Sequence, residues 1–201
     1  MNAKRLIPTV CAVLSLGACA IGKPIPEATT YVVEPPPAPA NSSATRRPEV
    51  LRVGNVRVAA AYDGNALVYR LDEVRYMSDP YHTFIAAPGA MLGNRIAEWL
   101  DRAGPFNTVA QPGSVRPATY LLDATVIELY GDFRAKGKPA AVLAVQFTLI
   151  DQSGPRPKLV RERTLASRVD LPQASPDALV HGYGQALAEI LTQLVPDLSG
   201  D

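Results

Sequence analysis

Apolar positions along this chain change their period several times, and each change marks an element. "EVLRVGNVRVAAAY" (49–62) places Val and Leu in partial alternation, the period-two signature of a strand with one buried face. "NALVYRLDEVRYMS" (65–78) reads as two short strands around Leu71-Asp72-Glu73, with "PYHTFIAA" as a connector. In "PGAMLGNRIAEWLDRAGPF" (88–106) the period becomes helical. Leu92, Ile96, Trp99, Leu100 and Ala103 fall on one stripe, while Asn94, Arg95, Glu98, Asp101 and Arg102 occupy the other side. Pro88 suits the first helical position and Gly104-Pro105 stops the helix.

A short strand around 106–111 leads through Pro112-Gly113 and Pro117 into three longer runs, 119–130, 140–151 and 158–169, joined by the turns "RAKGKP" and "QSGPRP". This spacing predicts an antiparallel meander. Arg161, Glu162, Arg163 and Arg168 suit an edge strand, where charge discourages pairing with another sheet. The last element opens on Ser175 as N-cap, Pro176 at the first helical position and Asp177 at the positive helix end. Leu179, Tyr183, Leu187, Ile190, Leu191 and Leu194 form its apolar stripe, and Pro196 is expected to end it. The order, without regular strand–helix alternation, predicts an α+β fold, a largely antiparallel sheet with two helices packed on one face. No internal repeat interrupts it.

The first 48 residues follow another logic. Met1 to Arg5 is positively charged, and Leu6 to Ala18 is an apolar run of thirteen residues broken by Pro8. That is too short to span a bilayer, which takes about 20 residues, and its layout is that of a secretory signal over residues 1–18. Leu16-Gly17-Ala18-Cys19 resembles the bacterial lipobox, whose cysteine receives a diacylglyceryl group before the peptide is cut ahead of it. The resemblance makes Cys19 an acylated anchor, and three acyl chains exceed what stable attachment needs at about 0.8 kcal/mol per buried methylene. Ala20 stands where inner-membrane retention in Gram-negative lipoproteins usually requires Asp, so the same resemblance implies the outer membrane, facing the periplasm.

From Lys23 to Pro48 the chain holds seven prolines among small and polar residues. Such composition favours extended, unpacked segments with a reach of up to ~80 Å. It serves either as a tether or as a spacer whose length matters little. The expected organisation is therefore signal (1–18), lipidated cysteine with a disordered proline-rich linker (19–48) and one folded domain (49–201).

Composition removes whole classes of function. Apolar residues make up 47% of the chain and charged residues 19%. That is a globular balance. Loss of Lys4 and Arg5 with the signal leaves 18 basic against 19 acidic residues, so no basic footprint for nucleic acid exists. Of the two cysteines, Cys11 lies in the signal and Cys19 is the anchor, so the mature domain has neither a disulfide nor a thiolate metal site. Its two histidines, His82 and His181, are not spaced as a metal pair. No G-x-S-x-G elbow, P-loop or G-x-G-x-x-G is present, so neither a catalytic residue nor a cofactor is expected. Tyrosine is the more telling residue. Tyr62, Tyr69, Tyr76 and Tyr81 lie within twenty residues among Arg70, Arg75 and Met77, a composition typical of protein interfaces, although alternate tyrosines also simply cover a sheet.

"LVYRLDEVRYMSDPYHTFIAAPGAMLGNRIAEWL" resembles the ABC-type transport auxiliary lipoproteins, the family that includes paraquat-inducible protein C. The shared pattern is a tyrosine-bearing hairpin, an aromatic and then a proline before a helix, and apolar residues down that helix. The tail from Leu143 to Val195, a hairpin, a connector and a helix with a Q-A-L core, is similar too. Phe84 stands where many members carry tryptophan, and the linker is longer than many of theirs. The resemblance implies a non-catalytic auxiliary or docking role in an MCE-type lipid transport system. The partners would be an MCE-domain periplasmic protein with its permease and ATPase, and the membrane through the anchor. Tyr69, Arg70, Arg75, Tyr76, Tyr81 and Phe84 are the expected partner-binding residues. A homo-oligomeric ring fitted to a tunnel end is a further expectation. The alternative is a structural lipoprotein of another envelope assembly machine.

Overall fold

The computed structural model describes residues 27–39, 46–134 and 138–199. The signal and Cys19 lie outside them. The described residues fold as an α+β unit, one mixed sheet with both helices on the same face.

One strand organises the sheet. β7 (Tyr120–Asp132) pairs along its whole length with antiparallel β8 (Ala140–Asp151), which pairs in turn with antiparallel β9 (Lys158–Asp170). On its other side β7 takes three parallel partners in succession: β2 (Arg47–Val53), β3 (Arg57–Val58) and β4 (Ala66–Arg70). β6 (Phe106–Ala110) lies parallel beyond β2, and β5 (Tyr76–Phe84) antiparallel beyond β4. The meander over 119–169 thus forms as the spacing of runs and turns predicts. The parallel half follows from the helix between β5 and β6, which carries the chain across the sheet before β7 is laid down. The run 49–62 is two strands rather than one, and β5 absorbs the connector up to Phe84.

α1 (Pro88–Ala103) begins at Pro88, and the Gly104 N–H bonds the Leu100 carbonyl at its end. α2 (Pro176–Ser199) is capped by Ser175, whose hydroxyl accepts the Ala178 N–H at 3.3 Å. Pro196 does not end α2, contrary to the sequence expectation. The helix continues to Ser199, and Leu198 is buried while Asp197 pairs with Arg161 and Arg163 at 2.9 and 3.0 Å. Those contacts offset the missing proline N–H. The stripes of the two helices meet Leu122, Ala124, Val126, Leu143, Val145 and Phe147 in one core.

The proline-rich stretch is the largest departure from expectation. Thr29–Tyr31 forms β1, parallel to β5, and the following residues cross the helices as a strap. Val33 is completely buried, and its N–H points at the Met91 sulfur at 3.4 Å. Glu34 pairs with Arg95 on α1, and its carbonyl occupies the space that a Cβ at Gly184 of α2 would need. Pro35, Pro36 and Pro37 border a small cavity with Trp99 and Arg102. Tyr31 and Val33, from one apolar trio among the prolines, supply the anchoring surface that composition averaged away.

Candidate functional site

The face of the sheet opposite the helices is largely uncovered, and at the end where β4 and β7 finish it carries a small aromatic and charged cluster. Val68 and Val142 form its floor with Tyr130. The Ala59–Tyr62 turn brings the Tyr62 ring near-parallel to Tyr130 at 6.0 Å between centroids, and Tyr76 meets Tyr130 edge-on at 5.6 Å. The Arg70 guanidinium lies over Tyr76, 5.7 Å from the ring centre. Burial, then the neighbouring Tyr76, Tyr130 and Glu128, push the Tyr62 hydroxyl up to about 12, so it is a neutral hydrogen-bonding group at any physiological pH.

Ion pairs frame these rings. Asp132 accepts Arg134 through Nε at 2.8 Å and Nη2 at 2.7 Å, and Arg168 at 2.7 Å. Arg134 holds the carboxyl far below the ordinary carboxylate range; burial opposes this and Arg168 reinforces it. Glu73 binds Arg134 at 3.0 Å and Arg70 at 3.2 Å. Asp72 ties the β4–β5 turn by accepting the Val74 and Arg75 N–H groups and the Arg75 guanidinium, which lowers its pKa to about 2. The hairpin tip, whose turn chemistry looks weak in sequence, is thereby fixed.

The expected partner-binding residues separate into two groups. Arg70 and Tyr76 come together on this open face, Tyr76 with 45% of its surface exposed, whereas Arg75 is held at the hairpin tip by Asp72 and Tyr81 is exposed further along β5. Tyr69 and Phe84 are buried, and this corrects their placement on a contact surface. Tyr69 stacks on Phe133 at 4.9 Å, and Phe84 packs against Tyr183 in the core. Strand parity is the cause: consecutive side chains take opposite faces, so Tyr69 points inward where Arg70 points outward. Tyr130, Asp132, Arg134 and Arg168 join the cluster without any signal in the sequence, because their contribution depends on which strands become neighbours.

A second polar group lies on the helix side of β5. Asp79 accepts the Tyr69 hydroxyl at 2.9 Å, His82 Nδ1 at 2.7 Å, and the Tyr81 and His82 N–H groups at 3.0 and 3.3 Å. Burial works to raise its pKa, but these donors prevail and leave it lowered. A carboxylate with four donors has no lone pair directed at a substrate, so the arrangement reads as a pin holding β5. His181 is exposed, with Nδ1 at 2.8 Å from the Asp177 carbonyl. Among the described residues no three acidic, histidine or cysteine side chains converge on a metal-sized site. What the open face offers instead is a rigid aromatic and guanidinium surface suited to protein contact.

The family described as the ABC-type transport auxiliary lipoprotein component matches residues 31–195, and the chain belongs to it. The match begins at Tyr31, the last residue of β1, and so includes the strap. Among solved structures the chain is similar to protein XCC0632 from Xanthomonas campestris, at 20% identity and a TM-score of 0.72, covering 85% of this chain and 95% of that one. An uncharacterised protein shares 18% identity at a TM-score of 0.60, over 84% of this chain and 100% of its own. The hypothetical protein CT253 from Chlamydia trachomatis follows at 12% identity and a TM-score of 0.54, over 77% of this chain and 97% of its own. These likenesses concern the fold. No curated protein matches the chain.

Proposed function

We propose that this chain is a non-catalytic docking subunit of an MCE-type lipid transport system, held at the periplasmic face of the outer membrane by acylated Cys19. Its membership of the auxiliary lipoprotein family carries the reading. The lipobox-like Leu16–Cys19 supports the anchor, and Ala20 supports the outer membrane. The open sheet face supports docking: Arg70, Tyr76 and Arg134 are held rigidly by neighbours on an open surface, the combination that gives interface residues their large effects.

The test is purification of the full-length, membrane-extracted protein from its own host. An MCE-domain protein should accompany the wild type, and Arg70→Glu with Tyr76→Ala should release it while the lipoprotein stays folded. Copurification with an unrelated envelope assembly machine would overturn the transport reading. Cys19→Ser should leave the protein unacylated and absent from outer-membrane fractions; a mature amino terminus without lipid in the wild type would remove the anchor.

A further inference from the structure

The sheet edge made by β1 and β5 is the edge at which the chain arrives from Cys19. β1 runs parallel to β5, with Thr29 beside His82 and Tyr31 beside Phe84, so Glu27 lies alongside the middle of β5. The strap beyond is fixed by buried Val33 and by the Glu34–Arg95 pair. Because the strap is docked, the leash is short. Eight residue steps separate Cys19 from Glu27. Fully extended, that length of chain reaches ~28 Å at most.

The same edge is apolar. Of the ten exposed large apolar or aromatic side chains among the described residues, six are Val32, Val74, Tyr76, Met77, Tyr81 and Ile85, all on the strap, the β4–β5 turn, and β5 with its continuation. Between Tyr76 and Ala87 the carboxylate and imidazole are Asp79 and His82, turned onto each other at 2.7 Å, and no Lys, Arg or Glu occurs there. The opposite edge differs: on β9, Leu159 and Val160 are followed by Arg161, Glu162, Arg163 and Arg168. Charges flank this run, Asp72, Glu73 and Arg75 on the turn and Glu34 on the strap, but they are paired with one another or with Arg70, Arg134 or Arg95. The large exposed side chains of the stretch between them are tyrosine, methionine and aliphatic. Such a stretch suits the headgroup boundary of a bilayer, where amphipathic rings collect beside charged groups.

We infer that the β1–β5 edge rests on the lipid surface that holds the anchor, with Met77, Tyr81 and Ile85 in the headgroup region. The inference rests on the acylation of Cys19 proposed above. It turns β9 away from the membrane, since β5, β4, β7 and β8 stand between it and β1. At ordinary strand spacing that separation is ~24 Å. The open face, with Arg70 and Tyr76, is then presented sideways to a partner.

The mature chain has no cysteine besides Cys19, so a single introduced thiol can carry a fluorescent donor. Acylated full-length protein bearing the donor at Ile85→Cys or Val160→Cys, both exposed positions, is placed in phosphatidylethanolamine–phosphatidylglycerol vesicles with an acceptor on the lipid headgroups. Energy transfer from position 85 should exceed that from 160 several-fold, and a long Gly/Ser insertion between Ala20 and Glu27 should abolish the difference. Equal transfer, or more from 160, overturns the inference and leaves the edge to a protein partner. The mass of the amino-terminal peptide separates the two failures. A free Cys19 thiol removes the anchor and this inference together, whereas an acylated terminus with equal transfer removes the orientation alone.

Discussion

Arg168 on β9 reaches past β8 to the Asp132 carboxylate on β7, 2.7 Å away, where Arg134 already binds it. Asp132 is almost wholly buried, so its lowered pKa is a statement about stability. A carboxyl lowered in the folded state stabilises the protein above the unfolded pKa, and that contribution fades as pH falls from about 4 toward the folded value. Asp132→Asn should therefore cost about 2 kcal/mol near neutral pH, the scale of hydrogen bonds to charged groups. The deficit should shrink steadily in acid, as urea unfolding at several pH values can show. A deficit independent of pH would mean that packing, not charge, is what Asp132 provides.

The strap can be released without touching the sheet. In Gly184→Ala the new methyl competes with the Glu34 carbonyl, so one of the two must move. The expected result is faster amide exchange at Val33 and Glu34 with the exchange of β7 and β8 unchanged. Trp99, the sole tryptophan, borders the cavity under the prolines, and its emission should shift to the red as water reaches it. Unaltered exchange and emission would show that α2 yields instead.

Tyr69→Phe keeps the stack on Phe133 and deletes the hydroxyl donated to Asp79. Three donors remain on that carboxylate. The loss should be modest, about 1 kcal/mol. Asp79→Ala strands all four donors and should cost more than Tyr69→Phe. Denaturation midpoints of the two variants settle the order, and a reversed order would contradict the role of Asp79 as the pin.

Tyr76→Ala separates stability from docking. The ring contributes an edge-on contact with Tyr130 and a seat for Arg70. Exposed pairs of this kind are worth about 1 kcal/mol. At an interface centre the same truncation costs about 2 kcal/mol or more. Partner affinity should accordingly fall at least tenfold, measured by titration, while thermal unfolding shifts by only a few degrees. Equal, small effects on both would place the docking surface elsewhere.

Elements with a strong local signal are legible in the sequence. β7, β8 and β9 are runs of twelve or thirteen residues set off by clear turns, and Ser175, Pro176 and the Leu179–Leu194 stripe define α2 before any contact is known. The parallel docking of β2, β3 and β4 on β7 is not legible, because no turn joins those strands to β7 and their register arises only when α1 has crossed the sheet. β1 is hidden for a related reason: three residues carry no period, and Val33 is buried by α1 rather than by its sequence neighbours. At the site, Arg70 and Tyr76 are visible as part of a tyrosine and arginine cluster. Counting tyrosines along the chain does not assign faces, so Tyr69 falls in with residues on the other side of the sheet. Arg134 lies 61 residues from its partner Glu73 in the hairpin, and only the β4–β7 pairing unites them.

The succession of β2, β3 and β4 along a single side of β7 has a bearing on how the polypeptide matures. None of the three can complete its ladder until residues 120–132 have been synthesised, more than sixty positions downstream of the residues they pair with. Closure over such distances in sequence is slow, and in the meantime the unfinished strands expose bare edges on which aggregates can grow. The vulnerability of the amino-terminal half belongs to the interval before its spine is in place, not to the finished molecule.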